Sequence, residues 1–190
     1  MDVSGTLTDN PNKDAETYAF FNALLSQFDT TNQVKLSIAT FSDDAVVDMD
    51  MGFYNTLEVF ESVDNINWVG GLTNIKAGLE AGHSTIDTTD DVTDVMLVIS
   101  DGFDSISAFG ATSYAQEIAA DGVNMVTVAW GQNGFYYALT MMQIANYFST
   151  GTGYFPAGSS AELMDAVGPI MAAICSAGKN HINRYPNLLL

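Results

Sequence analysis

DVMLVISDG, residues 94–102, is the stretch whose reading decides the fold. Residues 95–99 are apolar without interruption and lead directly into Ser100, Asp101 and Gly102. A short unbroken apolar run closed by a turn signal is the pattern of a strand buried on both faces, as when helices cover a parallel sheet from either side. VNMVTVAWG, residues 123–131, repeats it. Between the two, SYAQEIAADG (113–122) reads as a helix that stops at Gly122, so the three segments make a strand-helix-strand unit.

Alternation continues outward from this unit. AETYAFFNALLSQF (15–28) carries Ala19, Phe20, Ala23, Leu24 and Phe28 at helical spacing, with Asp14 and Glu16 in a first turn whose dipole favours them. VKLSIATFS (34–42) alternates with period two, and AVVDMDM (45–51) follows a Ser-Asp-Asp turn as the second arm of a hairpin. TLEVFESV, NIKAGLEAGHSTI and YYALTMMQIANYF read as helices, a short Tyr-Phe strand follows, and SAELMDAVGPIMAAIC is the last helix. These elements predict a three-layer, doubly wound α/β domain, its sheet mostly parallel with helices on both faces.

No repeat, low-complexity tract or Pro/Ser linker divides residues 1–177, which read as one domain. Residues 178–190 read as a C-terminal tail or linker, or as an arm docking on a neighbouring copy in a homo-oligomer, because the final Leu-Leu-Leu is ill suited to water. Only Met1 precedes Asp2 where an apolar strand is expected, so the first strand reads as truncated; an upstream piece could also carry a partner for Cys175, the lone cysteine.

Five basic residues stand against 23 acidic ones, a formal charge of −18. Such a surface repels nucleic acid and anionic membranes and favours cations or basic partners. With 47% hydrophobic residues the chain can bury a core, yet no run approaches the roughly 18 apolar residues of a membrane span, so membrane insertion is not expected.

In open α/β sheets ligands bind beyond the carboxyl ends of the strands. Three stretches are expected there: Asp2-Val3-Ser4-Gly5-Thr6, Gly70-Gly71-Leu72-Thr73-Asn74 and Ser100-Asp101-Gly102. In an extended loop alternate residues face one side, so Asp2, Ser4 and Thr6 can converge. All three stretches offer hard oxygen donors and none offers sulfur or imidazole, which selects a hard cation such as Mg²⁺ over zinc or copper.

In this order, the D-x-S-x-T opening, the GGLTN loop and the strand ending in SDG resemble the metal-ion-dependent adhesion site (MIDAS) of the von Willebrand factor type A domain. The resemblance runs over residues 1 to about 175, through VNMVTVAWG, the helix with Gln-Ile-Ala-Asn, the Tyr-Phe strand and a last helix ending in Ile-Cys. It implies Mg²⁺ or Mn²⁺ held by Asp2 mostly through water, by the hydroxyls of Ser4 and Thr6, by Thr73 in the ligand-occupied state, and by Asp101. Serine is usual in the family where Thr6 stands; threonine keeps the oxygen and adds a methyl. The resemblance also implies that the open position of the ion takes a carboxylate from a protein or glycan partner, that the chain is no enzyme, and that it is extracellular.

Two other readings compete. DVSGTL resembles the D-x-D-G-T opening of haloacid dehalogenase-like phosphatases, but Ser4 stands where that chemistry needs a carboxylic general acid, a loss of roughly a hundredfold or more. A structural module that self-assembles in a matrix or filament is the third. Among remaining residues, Asp104 is expected to cap the following helix, Asp43 and Asp44 to sit in a turn, and His83 to be solvated; His181 lies in the tail, and Met141 and Met142 belong to a core stripe. Trp68 and Phe103 flank the motifs and serve either packing or a partner.

Overall fold

The computed structural model describes residues 1–5, 11–28, 34–87, 92–106, 110–131, 135–146, 150–177 and 187–190. In chain order the elements are α1 (Lys13–Leu25), β1 (Leu36–Phe41), β2 (Ala45–Gly52), α2 (Thr56–Asp64), α3 (Ile75–His83), β3 (Asp94–Ser100), α4 (Gly110–Ala120), β4 (Asn124–Trp130), α5 (Phe135–Ile144), β5 (Tyr154–Ala157), α6 (Ser160–Ala177) and β6 (Asn187–Leu189). The sheet has the order β2-β1-β6-β3-β4-β5. Only the β1–β2 pair, the predicted hairpin, is antiparallel.

The unbroken apolar run of β3 is explained by its neighbours. Every residue of this strand is buried, and successive side chains point to opposite faces. Val95, Leu97 and Ile99 join Phe20, Phe21 and Leu24 of α1 and Ile170 and Ile174 of α6 in one core. Met96 and Val98 join Ile75 and Leu79 of α3, Ile118 of α4 and Met141 and Ile144 of α5 in the other. The result is the three-layer arrangement read from the sequence, with Met141 in the core as expected.

The tail differs from its reading. Residues 187–189 form a strand parallel to both β1 and β3, with Leu188 opposite Leu36 and Val95, and Leu189 opposite Ser37 and Met96. The slot for a first strand is thus filled by the other end of the chain. Leu190 continues the ladder, donating to the Ser37 carbonyl at 3.0 Å and accepting from Ala39 N–H at 3.1 Å, which sets it opposite Ile38. Met1 then donates to Ala39 O and accepts from Phe41 N–H, which sets it opposite Thr40, and Asp2 pairs with Phe41. One strand position, opposite Ala39, separates the two segments. The physical reason is the leucines: Leu189 and Leu190 are each 2% exposed, and burying a leucine contributes about 1.5–3 kcal/mol.

Alternation holds across the split. Leu190, Met1 and Val3 face the α1/α6 core, while Leu189 faces the α3 side. On the α3 side a cavity of about 20 Å³ is lined by Met1, Phe41, Gly78, Gly82, Met96 and Leu189, among others.

Glycines on α3 let that helix approach the sheet. A Cβ on Gly78 would lie 2.3 Å from the Phe41 ring and one on Gly82 2.7 Å from Leu189. Helix propensity alone favours Gly78→Ala by about 1 kcal/mol, but the clash with a buried ring reverses the sign. Urea unfolding should show Gly78→Ala destabilised by about 1–3 kcal/mol, the usual cost of overpacking.

Candidate functional site

The split strand ends at Asp2, held between β1 and β3 by a bond from its N–H to the Ile99 carbonyl at 2.9 Å. From there residues 3–5 leave the sheet at its carboxyl edge, beside the ends of β1 and β3. Val3 N–H still bonds Phe41 O, and Gly70 N–H bonds Val3 O at 3.1 Å. Gly5 N–H donates to Gly71 O at 3.0 Å, and a Cβ on Gly5 would come within 3.1 Å of that oxygen. The first and second predicted loops therefore touch backbone to backbone.

Side chains complete the junction. Ser100 Oγ donates to Asp2 Oδ2 at 2.6 Å, and Ser4 N–H donates to Asp2 Oδ1 at 2.8 Å. Thr73 Oγ1 donates to Ser4 Oγ at 2.8 Å. Asp101 Oδ1 accepts from Phe103 N–H at 2.9 Å. Asp2 and Ser4 are fully buried, and Thr73 and Asp101 nearly so. Four of the five residues expected at the site thus come from three loops that meet; Thr6 lies outside the described residues.

The set is two carboxylates with neutral hydroxyls; among the described residues no group of three or more His, Cys, Asp or Glu is gathered to hold a metal, here or elsewhere, so any ion here would rest largely on hydroxyl oxygens. Burial pushes the Asp2 carboxyl above its usual range and Asp101 adds to that, against the hydrogen bonds from Ser100 and Ser4. The neighbouring Met1 amine is lowered by its own burial to about 5, against the pull of Asp2 and Asp48, so it stands largely uncharged at neutral pH. A cation stabilises a carboxylate buried in this way. The donor chemistry fits a hard divalent ion: Asp2, Ser4, Thr73 and Asp101 could hold one.

Of the residues that shape the site, Asp43 and Ser105 carry no obvious signal in the sequence, while Ser100 belongs to the third predicted stretch. Asp43, expected only in a turn, accepts from Leu72 N–H at 2.6 Å through Oδ1. Its carboxylate fills the space where a Cβ on Gly71 would lie, 3.0 Å away, and Gly71 has φ +87, a conformation glycine alone adopts readily. Ser100 orients Asp2. Ser105 clamps Thr73, accepting from its N–H at 2.8 Å and donating to its carbonyl at 3.2 Å. Asn74 caps α3 by accepting from Ala77 N–H and ties it to the hairpin by donating to Asp43 O.

One expectation needs correction. Beyond Asp101 the chain turns back to the second loop, with Ser105 and Ile106 N–H both reaching Thr73 O; the capping expected of Asp104 falls on residues 107–109, outside the described residues. His83 is not simply solvated: it lies 3.2 Å from the Tyr114 hydroxyl and 3.4 Å from Asp121. Trp68 is half-buried against the core, whereas Val69, Leu72, Phe103 and Ile106 are exposed beside the site. His181 lies outside the described residues.

The family model described as "von Willebrand factor type A domain" matches residues 1–161. Among solved structures, proximal thread matrix protein 1 from the mussel byssus, with a zinc-occupied MIDAS motif, aligns with a TM-score of 0.77 at 20% identity, over 92% of this chain and 44% of that one. The pilus adhesin SpaC from Lactobacillus rhamnosus GG gives 0.73 at 13%, over 95% and 30%. Manganese-loaded TRAP protein of Plasmodium vivax gives 0.72 at 15%, over 90% and 70%. At these identities the likeness is one of fold, and the chain spans less than half the length of the mussel and pilus proteins. No curated protein matches the chain by sequence.

If Asp43 holds the second loop, Asp43→Ala should speed hydrogen exchange at the Leu72 amide, while Asp44→Ala leaves it unchanged. Equal protection in both variants would assign Asp43 to the turn alone.

Proposed function

The chain belongs to the von Willebrand factor type A domain family, and from that premise we propose that it is a divalent-metal-dependent protein-binding module. The observation that carries the reading is the convergence of Asp2, Ser4, Thr73 and Asp101 from three loops, joined by the Thr73–Ser4 hydrogen bond of 2.8 Å. These residues, with Thr6 added by the resemblance, hold Mg²⁺ or Mn²⁺. A bound ion supplies an electrophilic position for a carboxylate of a protein or glycan partner, because most of its protein donors are neutral hydroxyls.

Each residue has a part that needs no catalysis. Ser4 and Thr73 turn their hydroxyl oxygens to a shared point. Asp2, pinned by Ser100 and by Ser4 N–H, offers charge without freedom to move. Asp101 closes the set from the third loop. Exposed Leu72 and Phe103 at the rim offer apolar contact to whatever the carboxylate belongs to. Ser4 also weighs against the phosphatase reading, since its hydroxyl cannot replace a carboxylic general acid near neutral pH. An extracellular setting follows from the resemblance and is compatible with relatives that include a byssus matrix protein and a pilus adhesin. Structural self-assembly is the second reading, and the likeness to a byssus matrix protein is the observation that favours it.

Thermal unfolding tests the metal site. At an ion concentration about ten times its Kd, linkage predicts about 1.4 kcal/mol of stabilisation over chelator, a rise of a few degrees. Asp101→Ala and Asp2→Asn should lose the rise, and Asp2→Asn should leave the chelated midpoint unchanged or higher. The folded metal-free chain holds the Asp2 proton to higher pH than the unfolded chain does. Its contribution to stability therefore falls as pH rises above the ordinary carboxylate range, and the ion must displace that proton. The metal-induced rise should accordingly shrink as pH is lowered from neutrality toward that range. A rise that survives in both variants would place the ion elsewhere.

A further inference from the structure

Of the nine exposed large apolar side chains among the described residues, four lie on the second and third loops of the site: Val69, Leu72, Phe103 and Ile106. The site's own hydrogen bonds fix the backbone that carries them. Gly70 N–H, next to Val69, donates to Val3 O; Leu72 N–H donates to Asp43; Phe103 N–H donates to Asp101; and Ile106 N–H donates to Thr73 O. Thr73 O accepts from Ser105 N–H and Oγ as well, and Thr73 N–H donates to Ser105 Oγ. Leu72 and Ile106 are thus held by the same junction that places the Thr73 hydroxyl. A rim ordered before a partner arrives has little freedom left to lose on binding, and exposed apolar groups around a polar centre mark contact surfaces. Charge narrows what this surface can take. Residues 1–10, 41–45, 69–74 and 100–106 contain no lysine or arginine, whereas Asp43 and Asp44 are exposed and Asp104 is half-exposed. A bound ion is the positive charge these loops offer.

We infer that the site takes a protein segment in which a single Asp or Glu is flanked by large apolar side chains, in preference to a sugar acid or a run of acidic residues. This rests on the metal-dependent reading above and names the partner class for that site. One carboxylate meets the ion. Further negative charge on the partner meets Asp43, Asp44 and Asp104 and is repelled. A sugar acid surrounds its carboxylate with hydroxyls, and pressing those against Leu72 and Phe103 strips their water without supplying hydrogen bonds. Leucine, isoleucine or phenylalanine beside the acid instead removes apolar surface from water on both sides of the contact, which is favourable. The ion therefore selects the acid, and the rim selects its neighbours.

The test uses the full chain in Mg²⁺ and reads binding by fluorescence anisotropy of labelled probes. The probes are a peptide pool with a central Glu flanked by Leu, Ile, Val or Phe, a matching pool flanked by Ser, Asn or Gln, sialyllactose, and a short hyaluronan oligosaccharide. The apolar-flanked pool should bind about tenfold or more tighter than any other probe, and chelator should release it. Leu72→Ser and Phe103→Ser should each bring its affinity down toward that of the polar-flanked pool, while the Mg²⁺-induced rise in unfolding midpoint stays intact. Hydrogen exchange in chelator checks the rim without metal: Ser105→Ala should speed exchange at the Thr73 and Ile106 amides. Equal binding of the two pools, tighter binding of either sugar acid, binding that persists in chelator, or rim variants that bind as the unaltered chain does would overturn the inference, and with the Mg²⁺-induced rise present the metal reading would stand. Exchange at Thr73 indifferent to Ser105→Ala would overturn it too, by removing the ordered rim. Absence of the rise in the unaltered chain would remove the metal reading and this inference with it.

Discussion

The carboxylate of Asp2 has no contact with solvent, and its two oxygens accept from Ser100 Oγ and Ser4 N–H. Burying an ionisable group in that way is costly unless hydrogen bonds and a counter-charge offset it, and much of the architecture serves that need. The strand ladder carries Asp2 to the carboxyl edge of the sheet. The end of β3 brings Ser100 beneath it, and the first loop folds back so that its own amide completes the second bond. Because three loops must meet around this group, their glycines, hydroxyls and caps have little freedom of placement.

The same constraint explains why the middle of the sheet matters beyond stability. Asp2 is positioned by pairing with Ile99 and Phe41, and that pairing is the last rung of a strand begun by residues 187–190. Packing in the sheet and geometry at its edge are thus one mechanical unit. Loss of the leucines would loosen β1 from β3, and with them the loops that follow both strands. The exposed apolar rim of Val69, Leu72, Phe103 and Ile106 sits on those loops, so the order of any binding surface there depends on the strand below.

Much of this was legible in the sequence because the signals are local. Residues 95–99 could only be a strand covered on both faces, and Gly70-Gly71 announces a turn with positive φ, observed at 70 and 87. The oxygen donors lie at strand ends, where α/β sheets bind ligands, and the likeness of three spaced motifs to one family supplied what local rules do not. What escaped was non-local. A Leu-Leu-Leu end has no periodicity to set it in the centre of a sheet, 152 and 93 positions from the residues it pairs with in β1 and β3. Asp43 reads as an ordinary turn residue until it meets Leu72, 29 positions on, and Ser105 reads as loop until it clasps Thr73.

The central claim is that the buried carboxylates and hydroxyls of three loops form one divalent-cation site. Anomalous diffraction from crystals of the chain soaked in Mn²⁺ tests it most directly. The account predicts a single strong manganese peak bordered by Ser4 Oγ and Thr73 Oγ1, with Asp2 and Asp101 within direct or water-bridged reach. A peak placed elsewhere on the acidic surface, with none at these hydroxyls under saturating Mn²⁺, would contradict it.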